Sequence, residues 1–449
     1  FSDWSSDVCS SDLRMQPASE PRKSYMKNVI VLSICFFGIF FAFNTSQALQ
    51  TNSHGIQGYI NLGCLYGMFA AFSIIGPKIV AMVGPKYSMI IGGVTYALVV
   101  ASNFSNQSYV QIIANLLVGV GAAMLWNAEG VYIGRCAVWD SRTSTKSFAE
   151  TTSSFNGVFY SIFQFSGCAG TLIGGLIMQF FKDKPNLLFT VMTIVGSLFV
   201  LTLFVLPNVP AYTAGGVPAE NDDDVSFNET FALLFHSLKL VLMLPIIIYN
   251  GMSLAYIFGD VTSGISKRCF GASWSLYITA IFYLANSFAS YIFGKCVEKK
   301  WMSRTVMCCA AFVMQLISFL FFIFYKIPND SKSITDLILT IVMVILLSFG
   351  DSVWESQPPA ILQSFYGLDR ERNAAMANYK MWQSLGWCGQ FVVGVFFSTA
   401  EYIPMKSSIL LGLLVVSYIV LVILDRRYAK LDMKKGESAA LLAGEPTMA

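Results

Sequence analysis

The chain alternates long apolar runs with short polar turns, and the runs recur twelve times. Their approximate limits are 28–50, 57–77, 86–104, 108–131, 155–181, 187–206, 238–260, 272–294, 304–325, 335–357, 376–399 and 406–424. Each is close to the ~20 residues an α-helix needs to cross a bilayer. In lipid a backbone must satisfy its own polar groups, so runs of this length predict helices. The tenth run departs from the pattern. Residues 337–357, LILTIVMVILLSFGDSVWESQ, stay apolar to Leu347 and then turn polar at Asp351, Trp354, Glu355 and Gln357. Asp351 and Glu355 are four apart and share one helical face. A carboxylate at the membrane centre costs about 2.5–3.5 kcal/mol on the mildest scale. That cost directs the face toward a bundle interior or a wet cavity; the alternative is a helix end with both acids among the headgroups.

Composition points the same way. Of the 449 residues 55% are hydrophobic and 12% charged, with mean hydropathy +0.60, against about 25% charged residues in soluble domains. An all-α polytopic membrane protein with no sizeable soluble domain is expected, and the lipid bilayer is its first partner. A net charge of +3 is too small to suggest a nucleic-acid partner. The ten cysteines lie mostly within apolar runs (Cys35, Cys64, Cys168, Cys388) and form no CxxC pair, which reads as buried free thiols. Two histidines, His54 and His236, do not make a zinc constellation. No metal or cofactor is expected. No nucleophile–base pair or nucleotide loop is apparent, so enzyme chemistry is not indicated.

The first thirteen residues, FSDWSSDVCSSDL, read as a translated sequencing adapter, with Met15 as the expected start. Residues 14–27 form an N-terminal tail, 28–206 a first six-helix half, 207–237 a Pro-, Gly- and Asp-rich linker, 238–424 a second half, and 425–449 a polar tail. The halves repeat. At a constant offset of 219, Tyr160 meets Tyr379, Gln164 meets Gln383, and Gly167, Gly170 and Gly175 meet Gly386, Gly389 and Gly394. Span four, around Trp126, echoes span ten, around Trp354. Six plus six helices in parallel repeats are the major facilitator arrangement, with the site between the halves at mid-membrane.

Several polar residues are candidates for that site. Asn44, Gln47 and Gln50 recur every three residues of span one, either lining a cavity or bonding between helices. Trp126 and Glu129 on span four, Gln164 on span five, Asn250 and Asp260 on span seven, Asp351, Trp354 and Glu355 on span ten, and Gln383 on span eleven are cavity candidates. For Glu129 and Asp260 a structural pairing is the competing reading. Gly170–Gly174 forms a GxxxG pattern suited to close helix packing. Gly76, Lys78, Gly84 and Lys86, in GPKIVAMVGPK, mark either a gate loop or a tight basic turn. Glu437, Leu441 and Leu442 fit an acidic dileucine sorting pattern.

FNTSQALQTN, GPKIVAMVGPK, MLWNAEGVYI, GVFYSIFQFSG, IFGDVT, GDSVWESQ and KMWQSLG occur in order along residues 28–424. Together they resemble the uncoordinated-93-like (UNC-93-like) family of major facilitators. The departure is Glu129, where the family pattern more often has an uncharged glutamine. The resemblance implies a twelve-helix transporter fold in a plasma or endolysosomal membrane. It leaves two roles open. One is transport of an ion or small solute, with a link to potassium balance. The other is regulation or trafficking of a channel or receptor partner without transport.

Topology follows from charge. With both termini cytoplasmic, 22 of the 29 lysines and arginines fall on the inner side and 7 on the outer, the sense of the positive-inside rule. Protease protection of an epitope at the C-terminus should place it in the cytoplasm; an external epitope would overturn the orientation and the even number of spans together.

Overall fold

A computed structural model describes residues 25–143, 148–181, 184–210, 227–298, 301–365 and 369–442. The adapter-like stretch, most of the N-terminal tail, linker residues 211–226 and the side chains of Glu437, Leu441 and Leu442 lie outside the described residues. The first half contains α1 (Met26–His54), α2 (Ile56–Ser73), the short α3 (Gly76–Val83), α4 (Pro85–Ser102), α5 (Ser108–Thr143), α6 (Phe148–Phe180) and α7 (Pro185–Thr202). Within the linker lies α8 (Phe227–His236). In the second half α9 (Leu238–Tyr256) runs through a π-helical stretch, Ile257–Lys267, into α10 (Arg268–Phe270). Then come α11 (Ala272–Glu298), α12 (Arg304–Phe324), α13 (Ile334–Phe365), α14 (Asp369–Phe396) and α15 (Ile403–Leu442). The twelve apolar runs each correspond to one rod of this major facilitator bundle, six to a half.

Among the described residues nine helices are long and apolar enough to cross a membrane, ten when α2 and α3, bent by 70°, count as one span. The rods α4 and α14 complete the twelve. The weak hydropathy of α14 has a packing cause: Asn378, Gln383, Ser384 and Gln390 are all buried. Their neighbours are protein groups able to bond them, so this helix needs no apolar surface all round.

Local chemistry sets the breaks. Proline stands in the first turn of α3, α4 and α7, where its missing N–H costs no helical bond. Ser237 and Ser303 cap α9 and α12, accepting from the amides of Leu240 and Val306. The stretch around Gly76, Lys78, Gly84 and Lys86 is a helix rather than a loop. It ends because Gly84 takes φ +85°, a conformation that favours glycine. Lys78 is exposed, whereas Lys86 donates to the Phe204 carbonyl at 2.8 Å and ties the start of α4 to the end of α7.

Two helix pairs join the halves, α2 with α14 and α6 with α11, while α1 leans on the π-helical stretch. Their packing obeys the internal repeat. Gly175 of α6 faces the ring of Tyr277, and its repeat counterpart, Gly394 of α14, faces the ring of Tyr59. The GxxxG pattern also packs closely: a methyl at Gly170 would strike the Phe41 carbonyl of α1. Contacts between the halves are seen at mid-bundle and on the side remote from the linker. Tyr66 stacks on Trp387 at 4.4 Å, Thr51 donates to the Gly259 carbonyl at 3.2 Å, and Gly167 meets Tyr283.

Two lysines counted by topology prove to be interior. Lys406 is 1% exposed and Lys380 lines a cavity, so 21 inner and 6 outer cations remain and the bias survives. Asn103, which opens an Asn-Phe-Ser glycosylation sequon, is also buried. It accepts from Gln50 at 3.1 Å and donates to Ser46 at 2.9 Å. No glycan is expected on it, so glycosidase should leave the mass unchanged. Asn103→Ala, which strands its partners, should lower stability by about 1–3 kcal/mol in thermal unfolding of the purified protein.

Candidate functional site

Between the halves lies a cavity of about 150 Å³. Its polar wall is built from helical i, i+3 and i, i+4 pairs: Asn44 and Gln47 of α1, Tyr160 and Gln164 of α6, Asp351 and Glu355 of α13, Lys380 and Gln383 of α14. Aromatic rings complete it, among them Phe40, Phe43, Tyr66, Tyr96, Trp126, Phe163, Phe258, Tyr283 and Trp387. Tyr160 on this wall is 40% exposed.

The two acids of α13 are held differently. Both oxygens of Asp351 are occupied: Oδ1 accepts from Asn250 at 3.1 Å and Oδ2 from Asn286 at 2.9 Å. Asn250 accepts in turn from Gln383 at 2.6 Å. Asp351 is fully buried within this amide cage, which supplies the bonds an interior carboxylate requires. Glu355 has only a long contact from Gln164, at 3.5 Å. Lys380 interacts electrostatically with both Glu355 and Glu129. Its ammonium lies 5.5 Å from the ring centroids of Trp126 and Tyr379, within the range of cation–π attraction. Glu129 sits behind the wall, 4% exposed, and its Oε1 has no hydrogen-bond partner.

The expected site residues separate into three groups. Asn44, Gln47, Trp126, Gln164, Asp351, Glu355 and Gln383 line the cavity. Glu129 and Asn250 are buried just behind it. Trp354 and Asp260 are elsewhere. Trp354 is fully buried and donates to Gln315 at 2.8 Å. Its pairing with Trp126 fails for a helical reason. The two are 228 apart, nine residues beyond the 219 offset of spans five and eleven, and nine residues rotate a helix by a net ~180°. The stripe on α1 divides: Asn44 and Gln47 face the cavity, while Gln50 bonds Asn103 and Asn61 between helices. Lys380 was hidden in the sequence because a lysine near a span end counts as a topology charge. Its spacings of three and seven residues to Gln383 and Trp387, one helical face, were the available signal.

Asp260 belongs to a second buried cluster, on the side remote from the linker. Its Oδ1 meets Lys406 Nζ at 2.5 Å and accepts from Tyr59 at 2.8 Å, and its Oδ2 accepts from Gln390 at 2.8 Å. Lys406 also lies 5.4 Å from the Tyr59 ring centroid. Asp260, Gln390 and Lys406 come from the second half and Tyr59 from the first, so this clasp crosses the interface.

A family model described as "Ion channel regulatory protein UNC-93" matches residues 50–422. Protein unc-93 homolog A of Bos taurus is 26% identical over 429 residues, covering 87% of this chain and 91% of that one. Among solved structures, the nucleoside transporter NupG superposes with TM-score 0.65 at 11% identity, over 90% of this chain and 99% of that chain. The peptide transporter POT, in complex with sulfate, gives TM-score 0.67 at 14% identity, over 93% and 99%. At such identities these two likenesses report the fold alone.

The clasp yields a stability test. Removing one member of a buried ion pair strands the other, at about 3–5 kcal/mol. K406M is therefore expected to melt well below the native protein, while the double variant D260N/K406M should recover most of the loss. A double variant as unstable as K406M would show that the pair is not the source of the effect.

Proposed function

This chain belongs to the UNC-93 family, and on that premise we propose that it is a transporter moving an ion or small solute by alternating access between its two half-bundles. The observation that carries the reading is the polar cavity lined by both halves, with Tyr59 of one half bonded to Asp260 of the other on the side remote from the linker. Such an arrangement corresponds to one end state of a rocking pair. Passage to the other state requires these contacts between the halves to part, among them the charge-assisted hydrogen bond from Tyr59 to Asp260, worth roughly 1.5–3 kcal/mol. Asp351, by contrast, keeps its amide cage within the second half and would travel with it.

In this scheme Glu355 and Glu129 bind and release a cation or proton, and Lys380 answers the change in charge. A carboxylate on a wet wall avoids most of the cost it would meet in lipid. The acidic dileucine pattern would address the protein to a plasma or endolysosomal membrane.

A second reading has its own support in the family description, which names ion channel regulation. Here the bundle holds a channel or receptor through its outer faces, and the cavity is vestigial or regulatory.

Reconstitution separates the two. In vesicles carrying a pH-sensitive dye, the native protein should dissipate a solute or proton gradient. E355Q should cut the rate at least tenfold while inserting and folding normally, and Y59F, which removes a bond that must break, should raise it. Absence of flux across a panel of small solutes, together with altered current from a co-expressed channel, would favour the regulatory role.

A further inference from the structure

We propose that the central cavity binds a small primary alkylammonium ion, and that the Lys380 side chain occupies the same place when the ligand is absent. This rests on reading the central cavity as a solute site, and it names the class of solute.

Three observations converge on an ammonium. The first is formal charge. Among the described residues Asp351 and Glu355 line the cavity with Lys380, and Glu129 is buried behind the wall, so three acids stand against one base. An anionic solute would enter against this excess; a cationic one would relieve it. The second is the wall. Aromatic rings cover most of it, and such faces attract an ammonium through their quadrupoles while accepting an alkyl chain. A bare inorganic cation needs a shell of oxygens in place of its water. Both oxygens of Asp351 are already engaged by Asn250 and Asn286.

The third observation is Lys380 itself. Its terminal group is a primary ammonium on an alkyl chain. It rests 5.5 Å from the rings of Trp126 and Tyr379, within the field of Glu355 and Glu129. The Oε1 of Glu129, buried behind this wall, has no hydrogen-bond partner. The protein thus holds a tethered copy of the ligand's own chemistry. A tethered group competes at an effective concentration of order millimolar or above, so Lys380 sets the affinity that a soluble ammonium must exceed. Its displacement would also free it to pair with Glu355 or Glu129, linking occupancy to the arrangement of charge between the halves.

The test is an equilibrium titration of the purified full chain in detergent with butylammonium chloride, against sodium butyrate and potassium chloride at matched ionic strength. The native protein is expected to bind butylammonium weakly. K380M should bind it at least tenfold more tightly, and K380R, which keeps a tethered cation, should show no such gain. Trp126→Leu should weaken binding about fivefold in either background. Butyrate and potassium should neither bind nor compete. The proposal is overturned if K380M, monodisperse and with a normal melting transition, gains no affinity, or if potassium or butyrate takes the site. Should K380M fail to fold, Trp126→Leu in the native chain decides: an unchanged affinity overturns the proposal. No translocation is required for binding. Ammonium binding without flux would leave this inference standing and count against transport. Flux of another solute without ammonium binding would do the reverse.

Discussion

The cost of charge inside a membrane governs where α13, α14 and α15 can sit. Each carries ionisable groups well within its span: Asp351 and Glu355, Lys380, and Lys406. None of these can face lipid without a penalty of several kcal/mol. Asp351 meets it with two asparagine amides, and Lys406 with Asp260. Glu355 and Lys380 meet it with each other's field and a wet wall. The interior positions of these helices are therefore forced, and α14, the least apolar of them, is the most enclosed.

The same constraint separates the two polar centres by how completely each is satisfied. In the clasp, Asp260 has three partners and Lys406 sits tightly between the carboxylate and the Tyr59 ring. Such a cluster holds one geometry. In the central cavity Glu355 has one long contact and Glu129 an oxygen with none. Unmet hydrogen-bonding capacity next to open volume is what a binding site requires, and a structural ion pair lacks it. The clasp nonetheless joins the halves, because one of its partners, Tyr59, belongs to the first half.

Internal symmetry explains the shape of the interface and marks where it stops. Gly175 with Tyr277 and Gly394 with Tyr59 are one packing motif used twice, and Gln164 and Gln383 reach the cavity from opposite halves. The charges do not repeat. Acids and lysine at the cavity come chiefly from α13 and α14, and the first half contributes aromatic rings, amides and the buried Glu129. A cavity with a charged wall facing an aromatic one suits an amphipathic cation better than a symmetric ion.

Much of this was legible in the chain. Twelve apolar runs determined twelve helices, because a backbone in lipid has no other local solution. The 219-residue offset determined the pairing of spans five and eleven, since a repeat preserves helical phase. The acids of span ten announced a buried polar face by their cost alone. What the sequence by itself could not determine was direction. Trp354 looked like the partner of Trp126 until a net half-turn of helix turned it away. Asp260 looked like a cavity acid until Lys406, 146 residues further on, was found against it. Lys380 and Lys406 looked like charges at membrane edges. Helical periodicity is a property of neighbouring residues, but the partner of a buried charge is chosen by the packing of distant helices, and only the tertiary structure brings them together.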